Sequence, residues 1–115
     1  VTGYIKGRKH IEAEIQERRK RLFDGHLPEL VEALQLERPA LNDAIIVDHI
    51  IEQCEDIYTV LVDPATVVIV EIARDTAKII RSVEIRSASE YARGLSARKS
   101  RQFVIARELM SQPIA

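Results

Sequence analysis

Residues 42–57 read NDAIIVDHIIEQCEDI, and the fold turns on whether this stretch is helix or strand. Its apolar residues fit a helix. Ile46, Ile50 and Cys54 recur every four positions, and Ile45, Val47 and Ile51 widen the stripe. Asn42 suits an N-cap and Asp43 complements the helix dipole. The pattern therefore predicts a helix from Asn42 to about Glu55, with Cys54 as a small buried hydrophobe. Asp48, Glu52 and Glu55 then share one face, with His49 three residues before Glu52. Such spacing presents carboxylates and an imidazole to a metal, but no second ligand helix accompanies it. A solvated acidic stripe is the better reading, with no metal and no cofactor expected.

Beyond Ile57 the pattern changes to strands. Ile57–Val62 is β-branched and aromatic, Thr66–Ala73 is the most strand-like segment, and Lys78–Arg86 alternates apolar with polar. Asp63-Pro64 and Arg74–Ala77 mark turns. Connections this short favour an antiparallel meander, since parallel pairs need a long crossover. Val67–Val70 is apolar on both faces, so this strand reads as central, with its second face covered by a helix or another subunit. Ser87-Ala88-Ser89-Glu90 has capping-box form and opens a short helix ending at Gly94. Ser96 caps a last helix through about Met110, with Phe103, Ala106, Leu109 and Met110 inward.

Before residue 42 the chain reads as two helices. Residues 8–24 carry only a narrow seam, Ile11, Ile15 and Leu22, and Asp24-Gly25 stops them. Pro28 opens the next, which places Leu27, Leu30, Val31 and Leu34 on one face and ends at Arg38-Pro39. The expected architecture is α+β: a three-stranded antiparallel sheet preceded by three helices and followed by two, in the order ααα-βββ-αα. Residues 1–115 form one domain, with 1–24 projecting or packed on a partner. The expected core is Leu30, Leu34, Ile46, Ile50, Val68, Val70, Ile72, Val83, Ile85, Phe103 and Ala106.

Composition agrees with one globular domain. The 115 residues are 46% hydrophobic and 30% charged, with a net charge of −1, which excludes a disordered chain. The longest apolar runs are four residues against the ~18 of a membrane span, so neither a span nor a signal peptide is expected. One cysteine excludes an internal disulfide and a multi-cysteine zinc site, and a cytoplasmic setting is the default expectation. Charge is segregated. Residues 1–23 carry net +4, residues 24–75 net −10 and residues 76–115 net +5. Either the basic ends fold onto the acidic middle, or the poles meet a partner.

Two basic clusters test this choice. Arg18-Arg19-Lys20-Arg21 reads as a solvated, self-paired face, because Glu14–Arg18, Glu17–Arg21 and Lys20–Asp24 are i,i+4 pairs and only Arg19 lacks a local carboxylate. At the last helix, Ser96, Arg98, Lys99, Ser100 and Arg101 gather cations and hydroxyls where the dipole disfavours cations, a pattern that suits an anion site. The competing reading pairs these cations with Asp48, Glu52, Glu55 or Asp56. This region does not fit a ribbon-helix-helix motif, whose first helix and loop are longer. Nor does it fit a helix-turn-helix, which needs a buried aliphatic residue at position 100. No phosphate loop, dinucleotide fingerprint, nucleophile elbow or aromatic RNA platform is present.

These readings favour a small non-catalytic binding module that forms a homodimer or docks on another protein. Its candidate interface is Ile11, Ile15 and Leu22, or Val67 and Ile69 on the sheet. Anion or nucleic-acid binding through the C-terminal basic cluster comes second, an enzyme third, and no membrane partner is expected.

Overall fold

In the computed structural model, which describes residues 7–74 and 79–112, the 42–57 stretch is not a helix. Ile45–Ile51 forms strand β1, paired antiparallel with β2, Glu55–Asp63. A spacing of four is a multiple of the strand period as well as nearly one helical turn, so Ile46, Ile50 and Cys54 did not discriminate between the two. What decides is the local residue type: five of the seven residues of β1 are Ile or Val, stiff at χ1 and suited to a pleated surface. A register shift between Ile46 and Asp48 leaves Val47 as a bulge. Ile46 and Ile50 therefore lie on opposite faces. Cys54, expected to be buried, is exposed beside the β1–β2 turn.

β3 (Thr66–Ala73) and β4 (Ile80–Ser87) complete a four-stranded antiparallel sheet of order β1-β2-β3-β4. The α+β class stands. The expected ααα-βββ-αα order is corrected to ααββββαα, because the third helix is the first strand. The Asp63-Pro64 turn is present; the second expected turn falls largely on residues outside those described.

Register assigns the faces. Val60, Val68 and Ile85 are cross-strand neighbours, as are Tyr58, Val70 and Val83. Helix α2 (Pro28–Glu37) covers this face through Leu30, Ala33 and Leu34. On the opposite face Ile45, Leu61 and Val67 align and are covered by α1 (Arg8–Arg21), α3 (Ala88–Arg93) and α4 (Ala97–Met110). β3 is thus an inner strand with helices on both faces, which accounts for its unbroken apolar run. Of the expected core, Leu30, Leu34, Val68, Val70, Ile72, Phe103 and Ala106 are buried, and Ile46 and Val83 are half-buried. Ile50 and Ile85 are exposed, since both lie on outer strands.

Helix boundaries follow local chemistry. Gly25 takes φ +102° after α1, a conformation that favours glycine. Ser87 Oγ accepts from the Glu90 N–H at 3.1 Å and Ser96 Oγ from the Lys99 N–H at 3.3 Å, so Gly94 separates two capped helices. Among the described residues, no helix is long and apolar enough to cross a membrane.

The basic run on α1 departs from expectation at the one residue without a local carboxylate. Arg19 is buried, 1% exposed. Its Nε donates to Asp43 Oδ1 at 2.7 Å and its Nη2 to Asp43 Oδ2 at 2.6 Å. Nη1 donates to the Leu109 carbonyl at 2.9 Å and Nη2 to that of Gln112 at 2.8 Å. One guanidinium therefore joins α1, the approach to β1 and the C-terminal end of α4. The expected neighbours pair differently too. Glu14 meets His10 at 2.8 Å, and Asp24 meets His26 at 2.5 Å and Arg21 at 3.9 Å.

Candidate functional site

The five residues at the start of α4 have different surroundings. Ser96 Oγ is engaged in the helix cap. Lys99 Nζ lies 3.4 Å from Asp48 Oδ2, joining the basic C-terminal segment to the acidic middle through a residue of β1. Ser100 is half-buried, and Arg98 and Arg101 are exposed. The residues considered for an interface are placed mostly inside the single chain: Ile11, Ile15, Leu22 and Val67 are buried and Ile69 is half-buried.

The acidic stripe of the expected third helix does not form, because strand geometry separates its members. Asp48 and His49 point to opposite faces of β1. His49 stacks on Tyr58, with centroids 4.2 Å apart and planes inclined by 12°. Its Nε2 lies 2.8 Å from Asp56 Oδ1, and Arg74 Nε lies 3.8 Å from Asp56 Oδ2. Arg74 also donates to the Glu52 carbonyl. Burial, reinforced by the charges of Asp56 and Glu29, pushes the Tyr58 hydroxyl above its ordinary range. Among the described residues no group of three His, Cys, Asp or Glu side chains is placed to hold a metal.

Two surfaces escaped the sequence reading. One is a cleft between α1, β1 and the α3–α4 pair, with a cavity volume of about 50 Å³ and partly open to solvent. Ile11, Ile15, Leu95 and Phe103 form apolar walls, and Glu14, Arg18, Lys99 and Gln102 supply its polar groups. Tyr91 lines it as well, edge-on to Phe103 at 5.1 Å. Burial raises the Tyr91 hydroxyl's pKa; the charge of Asp48 adds to the rise and a hydrogen bond with Thr59 opposes it. The narrow seam on α1 was the only sequence signal for this cleft, and it named one wall.

The other surface is the free edge of β4. Among the described residues this strand pairs with β3 alone. On its α2-facing side Ile80 and Val83 are half-buried and Ile85 is 55% exposed. On its other side Glu84 and Arg86 pair at 2.8 Å. Hydrogen bonding to Glu84 raises the Arg86 pKa. An unpaired edge with an apolar row is a template for strand addition. No protein-family model matches this chain, and searches of curated proteins and of solved structures likewise returned no match.

Proposed function

We propose that the protein is a small non-catalytic interaction module that self-associates through the free edge of β4. The supporting observation is the apolar row Ile80, Val83 and Ile85 on a strand with one side unpaired among the described residues. A second copy adding its β4 antiparallel would satisfy the edge and extend the α2-covered face across the junction.

Charge narrows the pairing. A two-fold axis normal to the sheet keeps each side chain on its own face, so the pairing must centre on a residue. Centring on Arg81, Glu84 or Arg86 opposes like charges. Centring on Val83 sets Ile85 against Arg81. Centring on Ile85 sets Ile85 against its own copy and Glu84 against Arg86 twice. The last arrangement is the one proposed.

Anion or nucleic-acid binding at the start of α4 has less in its favour, since Lys99 is held by Asp48 and Ser96 by the helix cap. The His49–Asp56 pair supports no catalytic reading: the Nε2 faces the carboxylate, and the ring lies flat on Tyr58. Sedimentation equilibrium at tens of micromolar tests the proposal, a range chosen to exceed a typical micromolar affinity. The expected species has twice the 13.1 kDa chain mass, and Ile85→Lys returns it to monomer. A wild-type monomer overturns the reading, as does a dimer unaffected by Ile85→Lys.

A further inference from the structure

The cleft beside β1 has features that the proposed association at β4 does not use. Three consecutive strand residues, Ile45, Ile46 and Val47, line it. Ile45 and Val47 pack with the cluster under α1 and α4, and Ile46 with the cluster under α2. The bulge at Val47 widens the strand there. Apolar walls on both helices then flank a slot suited to an unbranched aliphatic chain.

The rim gives the other half of the ligand. Arg18 lines the cleft, is exposed, and has no ion pair among the described residues. Lys99 and the Gln102 amide are also in the lining, Lys99 with its Nζ 3.4 Å from Asp48. Glu14, the acidic group in the lining, is 2.8 Å from His10 Nε2. An exposed guanidinium with no ion pair among the described residues, in the same lining as the Gln102 amide, matches a planar two-oxygen anion.

We propose that this cleft binds a small aliphatic carboxylate, with its tail against Ile11, Ile15 and Leu95 and its head at Arg18. The proposal stands apart from self-association, because β1 and β4 are opposite edges of the sheet.

The test is titration of the full ¹⁵N-labelled chain, followed by amide shifts, with three probes: octanoate, octylammonium and acetate. Octanoate is expected to move amides in residues 11–18, 45–47 and 95–103 and to saturate with a Kd on the order of 1 mM. Acetate lacks the tail and octylammonium carries the wrong head, so both bind much more weakly. Arg18→Ala weakens octanoate by about tenfold, the size expected for one charge-assisted hydrogen bond. Arg98→Ala, which removes an exposed cation outside the cleft, leaves the affinity unchanged. Arg18 is exposed, so both variants retain the wild-type spectrum elsewhere. Equal binding of octylammonium, shifts outside the cleft, no saturation, or full affinity in Arg18→Ala each overturns the proposal.

Discussion

β1 and β4 are the two outer strands of one sheet, and the molecule treats them differently. β1 receives elements from both ends of the chain: α1 and α4 close over its first residues, and Ile45 is only 1% exposed. Arg19 fixes the segment leading into it, and a bulge breaks its ladder. β4 shares only the last of these: its ladder shifts register at Arg81, but among the described residues no buried arginine anchors it. Its apolar row is partly open, and its Arg–carboxylate pair is on the surface. An edge strand is closed by distant parts of the chain arriving at it, not by its own sequence, and here they arrive more fully at β1 than at β4.

The largest expected effect sharpens that contrast at the buried arginine. Asp43→Ala leaves the Arg19 guanidinium enclosed without its carboxylate, and unfolding in urea is expected to show a loss of about 3–5 kcal/mol. Arg19→Met is expected to cost less, because it removes the buried charge together with the need for a partner and keeps apolar volume. If Asp43→Ala and Arg19→Met cost the same, packing rather than the ion pair secures β1.

The same residue type on the two edges gives the next comparison. Ile45→Ala leaves a cavity against α1 and α4 and is expected to cost about 2–5 kcal/mol. Ile85→Ala removes a side chain that is 55% exposed and is expected to cost under ~1 kcal/mol in the monomer. Urea unfolding at low protein concentration checks both, since association would add to the apparent stability of the wild type.

This asymmetry marks where the sequence was legible. α1, α2, β3, the two capped C-terminal helices and both serine caps follow from local signals, and each lies close to where those signals put it. β1 was not legible as a strand because its four-residue spacing suits either structure. Its identity depends on pairing with β2, a contact that local patterning does not contain. Arg19 was the cation without a nearby carboxylate on its own helix, yet its partner is 24 residues away. The candidate surfaces were hidden for the same reason. The cleft draws on α1, β1, α3 and α4 together, and β4 has a free edge because, among the described residues, no fifth strand arrives there.

The smallest expected effect on folding is at Glu84 and Arg86, where the contrast with Arg19 is sharpest. Both side chains are about half exposed, so water screens the pair, and reversing either charge is expected to leave monomer stability within experimental error. Association is where these residues are expected to act. With β4 centred on Ile85, each Glu84 faces the Arg86 of the other copy, so Glu84→Arg alone or Arg86→Glu alone opposes like charges twice across the two-fold axis. Each single reversal therefore weakens the dimer, while the Glu84→Arg/Arg86→Glu double variant restores opposite charges and recovers it. Raising the salt concentration narrows the gap between single and double variants, as screening requires. A dimer that ignores both single reversals but is lost in Ile85→Lys keeps β4 as the interface and moves the pairing to the register centred on Val83.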